Sequence, residues 1–175
     1  MTSKSLRNII IHEAELRDIL SLLIFFISLD RDPETRLFYR AYRCDGFRSL
    51  WCFLTLIYKL TFKRLRKRFL MVLALREREI VGLCHIDMVR DAIGHFGIVV
   101  KPSFRGRGLG KLLAKRALLM IKALHVKHIF LQVDADNSRA IKLYKSLGFR
   151  ICGYSKDYRY KTNEYVKCYL MKLTL

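Results

Sequence analysis

The stretch Val100-Lys101-Pro102-Ser103-Phe104-Arg105-Gly106-Arg107-Gly108-Leu109-Gly110-Lys111 decides how the rest of the chain is interpreted. It follows the run His95–Val100, whose apolar residues are typical of a buried strand. A helical pattern of apolar residues then extends from Gly108 to His125. The sequence therefore predicts a glycine-rich turn that links a strand to the N-terminus of a helix.

Such a turn favours a bound phosphate or pyrophosphate. Glycine has no Cβ, so the backbone at Gly106, Gly108 and Gly110 can approach a ligand closely. The unpaired N–H groups of the first helical turn, together with the helix dipole, attract an anion. The Gly-x-Gly-x-Gly spacing differs from both the dinucleotide fingerprint and the Walker pattern. Further positive charge comes from Arg105, Arg107 and Lys111.

Hydrophobic periodicity predicts an α/β (α+β) fold with a mixed sheet. We expect strands at Asn8–His12, Phe69–Leu75, Ile80–Val89, His95–Val100, His128–Val133, Phe149–Tyr154 and Tyr165–Leu173. We expect helices at Glu13–Leu29, after a cap at Asp32, and at Phe47–Phe62, Gly108–His125 and Ser138–Leu147. Turns are predicted at Arg76–Glu79 and Ala92–Gly94. This order indicates one domain over residues 1–175, with helices on both faces of the sheet.

A second motif, Asn137-Ser138-Arg139-Ala140-Ile141-Lys142-Leu143-Tyr144-Lys145-Ser146-Leu147-Gly148-Phe149, lies one helix and one strand further on. Asn137 is placed to cap the short helix and Gly148 to close it. The two segments together resemble the GCN5-related N-acetyltransferase (GNAT) superfamily. Arg105-x-x-Gly108-x-Gly110 is similar to its coenzyme A loop, and the second motif to its Asn-x-x-Ala-x-x-Leu-Tyr-x-x-x-Gly-Phe element. The resemblance implies the GNAT fold, with a mostly antiparallel sheet of six to seven strands.

The resemblance also implies an acetyl-CoA-dependent N-acetyltransferase and a role for each matching residue. The strand backbone before the loop would face the pantetheine amides, and the loop backbone would hold the pyrophosphate. Tyr144 would protonate the leaving thiolate, because a phenol with a pKa of about 10 stays protonated at neutral pH. The implied cofactor-binding residues are Ile98, Val99, Val100, Arg105, Gly106, Arg107, Gly108, Leu109, Gly110, Lys111, Asn137 and Tyr144.

The general base is less clearly indicated. Some family members carry a Glu where this chain has Gly94, and the ribosomal-protein alanine N-acetyltransferase group carries one where it has Gln132. Asp134 lies two residues after Gln132, on the same strand face, and is our first candidate. His95 is our second candidate. Further candidates are His85, Asp87 and a chain of water molecules.

The C-terminal tyrosines bear on the acceptor. They resemble the end of protein N-terminal acetyltransferases, the group to which the chain is most similar, where tyrosines between the last two strands help to hold the acceptor. A protein N-terminal α-amine is therefore one implied acceptor, and polyamines, amino sugars and antibiotics are alternatives. A monomer and a homodimer are both compatible with the sequence. The tyrosines are Tyr154, Tyr158, Tyr160 and Tyr165.

A strongly basic composition raises a second class of function. The chain has 34 Lys and Arg against 15 acids, a net charge of +19, and no acid between Ala92 and Val133. A basic run, Lys63–Arg68, lies between Phe62 and Phe69. These features favour an anionic partner, so a nucleic-acid-binding module without catalysis is an alternative. It is not favoured, since no zinc-finger, RNP-like or helix-turn-helix signature occurs. A coenzyme A sensor is a third class, against which the glycines and Tyr144 argue.

Cysteine usage and hydropathy indicate a cytoplasmic protein without a metal site. The five cysteines are odd in number and lack the close spacing of a zinc site. Met1–Leu6 lacks the features of a signal peptide. The apolar run Ile19–Leu29 is too short to span a bilayer, so we expect a buried helix and no membrane span.

Overall fold

A computed structural model of the chain describes residues 8–32, 35, 54–90, 92–159 and 162–175, which form a seven-stranded sheet with helices on both faces. The strands are β1 (Ile9–Glu13), β2 (Phe69–Arg76), β3 (Glu79–Arg90), β4 (Ile93–Val100), β5 (His128–Asp134), β6 (Arg150–Arg159) and β7 (Glu164–Thr174). Their order in the sheet is β1-β2-β3-β4-β5-β7-β6. Among the described strands, only β4 and β5 pair in parallel, which confirms the predicted mixed, mostly antiparallel architecture.

The helices cover the two faces of this sheet. They are α1 (Ile19–Asp30), α2 (Leu109–Lys122) and α3 (Ser138–Ser146), together with a helix over residues 54–65 that contains a π-helical turn at Lys59–Lys63. None of the helices among the described residues is long and apolar enough to cross a membrane. Short 3₁₀ helices occur at Leu16–Asp18 and Pro102–Phe104.

Each face of the sheet has its own hydrophobic core. On one face, which we call the α2 face, Leu113 and Ile121 pack with Ile86. On the other, the α1 face, Phe25 and Leu60 pack with strand residues of β2 and β3. All five side chains are buried, and burying a large apolar side chain contributes about 1.5–3 kcal/mol. Because side chains alternate along a strand, successive residues of β3 and β4 enter opposite cores.

The parallel pair β4–β5 separates partway along its length. Its ladder joins Ile93 to His128, Gly94 to Ile129 and His95 to Phe130. Both strands then continue, β4 to Val100 and β5 to Asp134, without further pairing to each other in that ladder. A gap between two strands presents main-chain N–H and C=O groups to whatever fills it.

Several predicted boundaries differ from the structure. Ile93 and Gly94, predicted in a turn, belong to β4 because they pair with β5. Strand β6 does not end at Tyr154 but continues to Arg159, which pairs with Glu164 of β7. The predicted helix from Glu13 starts as an α-helix only at Ile19, after β1 and the first 3₁₀ helix.

Other local predictions are confirmed where the structure describes them. The charged turn between β2 and β3 consists of Glu77 and Arg78, both with positive φ, at 51° and 71°. The side chain of Asp32 accepts the N–H of Thr35 at 2.7 Å, as expected for a helix cap. The following residues, 36–53, lie outside the described part of the chain, and so does the start of the helix predicted at Phe47–Phe62.

Candidate active site

A cavity of about 570 Å³ lies where β4 and β5 separate. It brings together most of the residues that the sequence predicted, from β3, β4, the loop that follows β4, α2, β5 and α3. Leu109 and Arg107 of the loop are not among its described lining residues. The predicted residues that line it are His85, His95, Ile98, Val99, Val100, Arg105, Gly106, Gly108, Gly110, Lys111, Asp134, Asn137 and Tyr144.

The loop backbone leaves open space at two glycines. Gly106 and Gly108 have φ of +74° and +87°, a region that side chains rarely adopt, and no atom lies within 4 Å of the position a Cβ would take. Gly108 is also the N-cap of α2. Gly110 differs, because a Cβ there would lie 3.4 Å from Leu143 of α3, an ordinary van der Waals contact. The first two glycines thus leave the main chain of the loop open on the side where a Cβ would be.

Arg105 is held within the protein. Its Nε donates to the carbonyl of Val100 at 3.1 Å, and its guanidinium bonds Asp32 at 2.8 Å and the hydroxyl of Thr35. Burial opposes ionisation of Asp32, but the hydrogen bonds from Thr35 and Arg105 outweigh it and lower the pKa of that carboxyl. Arg105 therefore ties the loop to the end of α1, and its positive charge is partly offset there.

Lys111 and Arg139 supply the other cationic side chains that line the cavity. Lys111 lies in the first turn of α2 and Arg139 in the first turn of α3. Arg139 was not singled out in the sequence, although it follows the helix cap by two residues. Arg107 instead lies over the ring of Phe104, with its guanidinium carbon 5.9 Å from the ring centroid.

Helix α3 places Asn137 and Tyr144 at the cavity. The side chain of Asn137 caps the helix, as predicted, by accepting the N–H of Ala140 at 3.1 Å. Tyr144 is buried and packs edge-on against Phe96, with ring centroids 6.0 Å apart. Burial raises the pKa of the Tyr144 phenol, so the hydroxyl keeps its proton at neutral pH. A protonated hydroxyl therefore lies beside the gap.

Two histidines project to the α1 face of β3 and β4. His85 pairs with Gly97, where a Cβ would come within 2.3 Å of the imidazole, so the ring occupies the space that glycine leaves. Burial and the charge of Lys59 lower the pKa of His85 to about 3. Burial also lowers the pKa of His95, an effect that the nearby Asp87 opposes. Both rings are therefore neutral at pH 7.

The acidic candidates differ in their surroundings. Asp134 is buried at the end of β5, where it accepts a hydrogen bond from the thiol of Cys168 at 3.3 Å. Asp87 does not line the cavity and bonds Lys63 at 2.6 Å and Lys59 at 3.2 Å. Burial opposes the ionisation of Asp87, but the hydrogen bond from Lys63 and the charge of Lys59 lower its pKa.

Asp157 lines the cavity and was missed in the sequence. Gln132 donates to its carboxylate at 3.4 Å and to the hydroxyl of Ser155 at 3.2 Å. The sequence did not indicate Asp157 because this residue belongs to the part of β6 that lies beyond the predicted end of the strand. Gly94 lies on the α2 face, where a Cβ would be 2.8 Å from Ile86 and leave no room for a carboxylate.

The C-terminal tyrosines are not among the described residues that line the cavity. Tyr158 and Tyr165 pack against each other with ring centroids 5.1 Å apart on the β6–β7 hairpin. Tyr154 is 77% exposed, with the amine of Lys167 4.9 Å from its ring centroid. Tyr160 lies outside the described residues.

The fold and the cavity together define an acetyltransferase domain of the GNAT type. The sequence model of the Acetyltransferase (GNAT) family matches residues 31–149, more than half of the chain, and the chain belongs to that family.

Similar proteins include enzymes with different acceptors. An L-amino acid N-acetyltransferase of Escherichia coli is 37% identical over 98 residues, which cover 53% of this chain and 60% of that protein. A [ribosomal protein bS18]-alanine N-acetyltransferase of Salmonella typhimurium is 36% identical over 72 residues, covering 41% and 49%. The chain thus spans about half to three fifths of the length of these relatives. A GNAT-family acetyltransferase structure from Streptococcus pneumoniae matches with a TM-score of 0.77 and 25% identity, covering 95% of this chain and 99% of the other.

Proposed function

We propose that this protein transfers the acetyl group of acetyl-CoA to an amine. The observation that carries the proposal is the single cavity that holds the open glycine loop, Asn137 and Tyr144 along the gap between β4 and β5. The main-chain N–H groups around Gly108 and the first turn of α2 would bind the diphosphate. The strand edge from Ile98 to Val100 and the amide of Asn137 would bond the pantetheine arm.

Direct transfer fits the side chains of the cavity. The neutral amine attacks the thioester carbonyl carbon, the carbon–sulfur bond breaks, the attacking nitrogen releases one proton to a base or to water, and the thiolate of coenzyme A takes one up. Tyr144 is the donor we propose, since its buried phenol is protonated at neutral pH and lines the cavity. No covalent acetyl-enzyme is needed, because donor and acceptor occupy one cavity.

For the general base we propose Asp134, with His95 as the alternative. Both line the cavity. His95 belongs to the last pair of the β4–β5 ladder, and Asp134 lies beyond that pair on β5. A protein α-amine has a pKa of about 8, so a weak base suffices to remove its proton near neutral pH. A carboxylate at Asp134 can do so directly or through a water molecule. Asp157 is a third group within reach of the cavity.

Among acceptors we favour a protein N-terminal α-amine, with free amino acids, polyamines and amino sugars as alternatives. The similarity to a bS18-alanine N-acetyltransferase supports the first, and the similarity to an L-amino acid N-acetyltransferase supports a small acceptor. We propose that the carboxylate of Asp157, which Gln132 contacts at 3.4 Å, binds the acceptor ammonium before it loses its proton.

Thermal unfolding tests the cofactor and product profiling tests the acceptor. Acetyl-CoA at 100 times its Kd is expected to stabilise the protein by about 2.7 kcal/mol and so to raise its Tm, with NAD and ATP giving little change. Acetyl transfer would then be followed by mass spectrometry on peptides, free amino acids, polyamines and amino sugars. An unchanged Tm at millimolar acetyl-CoA would refute the proposal.

A further inference from the structure

A second cavity, of about 420 Å³, lies against the helix over residues 54–65. Two aromatic rings on its wall, Tyr58 and Phe62, stack with centroids 6.0 Å and planes 30° apart. Both rings are exposed, at 51% and 63%, so they are accessible from solvent. We call this site the basic cavity, and its lining residues are Tyr58, Phe62, Lys63, Arg66, Arg68, Asp87, Met88 and Val89.

Positive charge dominates around the basic cavity. Among the described residues that line it, three are cationic and one, Asp87, is acidic. Asp87 bonds Lys63 at 2.6 Å and also Lys59 at 3.2 Å, so two lysines already outweigh its charge. Arg66 and Arg68 are exposed at the rim. The excess positive charge around this cavity has the same sign as the net charge of the chain, +19, and favours an anionic ligand.

The backbone that carries these cations is fastened to the sheet. The N–H of Arg68 donates to the carbonyl of Lys63 at 2.7 Å, and the carbonyl of Arg68 accepts the N–H of Met88 at 2.9 Å. The helix itself contains a π-helical turn at Lys59–Lys63, a distortion that is frequent at functional sites. The main chain between the aromatic wall and the cationic rim is therefore anchored to β3.

We propose that the basic cavity binds single-stranded nucleic acid, with a base stacked on the Tyr58–Phe62 pair and phosphates against Lys63, Arg66 and Arg68. Proteins bind unpaired nucleic-acid strands with aromatic rings next to cationic side chains. The bases stack on the rings, and the cations bind the phosphates that join the nucleotides. A duplex keeps its bases stacked inside and offers no free face to the rings. A lipid headgroup offers an anion but no flat ring.

The basic cavity is remote from the coenzyme loop. It lies at the end of β3, where Met88 pairs with Gly94, whereas the coenzyme loop follows Val100 at the other end of β4. Six residues of strand separate these ends by about 20 Å. The acceptor side of the active-site cavity is nearer, because Asp87 of the basic cavity pairs with His95. Binding of a nucleic acid in the basic cavity does not require acetyl-CoA.

Fluorescence anisotropy of the full chain with a labelled 12-nucleotide single-stranded RNA tests this proposal. We expect binding whose log–log salt slope is about −2, for three phosphate contacts. Phe62→Leu, which keeps the apolar bulk but removes the ring, is expected to weaken binding roughly five- to 100-fold. The double variant Arg66→Glu/Arg68→Glu is expected to abolish binding. Its matched control is Lys115→Glu/Arg116→Glu, which makes the same charge change on the exposed surface of α2.

Three results would overturn the proposal. Equal losses in the two double variants would show that net charge alone attracts the RNA. Competition by a 12-base-pair duplex as effective as by the single strand would exclude stacking on the rings. Binding to phosphatidylglycerol vesicles, but not to the RNA, would assign the surface to a membrane. Acetyl transfer to a short peptide, measured on the same variants, is expected to stay at the wild-type rate. A failure of the RNA-binding proposal would therefore leave the proposed acetyltransferase activity untouched, and the reverse also holds.

Discussion

The two sides of the cavity between β4 and β5 are built from different parts of the polypeptide. The side that we propose for the coenzyme, here the coenzyme side, is mainly main chain: the edge of β4, the loop with Gly106 and Gly108, and the N-terminus of α2. The side that we propose for the acceptor, here the acceptor side, consists of side chains from separate strands, among them His95, Gln132 and Asp157. A backbone site tolerates changes in the surrounding side chains, whereas a side-chain site changes its chemistry with each substitution. This difference explains how one fold serves different acceptors with one coenzyme.

Tyr144→Phe should give the largest effect, because it is expected to lower kcat without changing the affinity for acetyl-CoA. The change removes only the hydroxyl that we propose to protonate the thiolate, and removal of a general acid commonly lowers kcat by about 10²–10⁴-fold. The Kd for acetyl-CoA is expected to stay close to that of the wild type, because the ring still packs against Phe96 and Phe149. Steady-state kinetics and calorimetry measure the two quantities. The exposed Tyr154→Phe is the matched control, and an unchanged kcat in Tyr144→Phe would exclude this residue as the acid.

Asp134→Asn tests the acceptor side. An amide cannot accept the proton of an amine, so kcat/KM near pH 7 is expected to fall by about 10²-fold. The remaining rate should rise with pH until the acceptor amine loses its proton unaided. His95→Gln and Asp157→Asn, assayed across the same pH range, identify which of the three groups matters. If only His95→Gln flattens the pH profile, the assignment of the base moves to that residue.

The pH dependence of stability tests the burial of His85 next to the acceptor side. Its pKa is about 3 in the folded protein and 6.5 in the unfolded chain, so below pH 6.5 the unfolded state binds the proton and is favoured. The contribution of the neutral, buried His85 to the free energy of unfolding is therefore fully present above pH 6.5. It is lost as the pH falls, at about 1.4 kcal/mol per pH unit. Between pH 6.5 and pH 5 this amounts to about 2 kcal/mol of unfolding free energy.

Urea unfolding of the wild type and of His85→Gln at these two pH values measures this effect. The variant lacks the titrating ring, so most of the pH dependence should disappear. Burial also lowers the pKa of His95, which leaves a smaller residual slope of the same sign. An equal slope in the variant and the wild type would show that the ring is accessible to protons in the folded state.

The coenzyme side could be predicted from the sequence because its determinants are local. The glycines that need positive φ, the helix start and the cap at Asn137 lie within short motifs, and the structure has each cap where the motif predicts it. The acceptor side could be predicted only in part, because it also depends on pairing between distant strands. His95 and Asp134 were identified from the sequence, but Asp157 reaches the cavity only because β6 extends to Arg159. On the coenzyme side, the contact of Arg105 with Asp32 across 73 residues of chain was likewise not predicted. No local pattern encodes such contacts.

Gly108→Ala addresses the coenzyme side and has the smallest expected effect. A side chain at a φ of +87° costs about 1 kcal/mol of folding stability. Its methyl group would also enter space in which no protein atom lies within 4 Å. If the diphosphate of acetyl-CoA occupies that space, the Kd should rise about tenfold, or about 1.4 kcal/mol. Gly153→Ala on β6, whose Cβ would lie 4.0 Å from Leu170, is the control and should change neither quantity. A Gly108→Ala protein that loses stability but binds acetyl-CoA as tightly as the wild type would mean that the main chain of this loop does not hold the coenzyme.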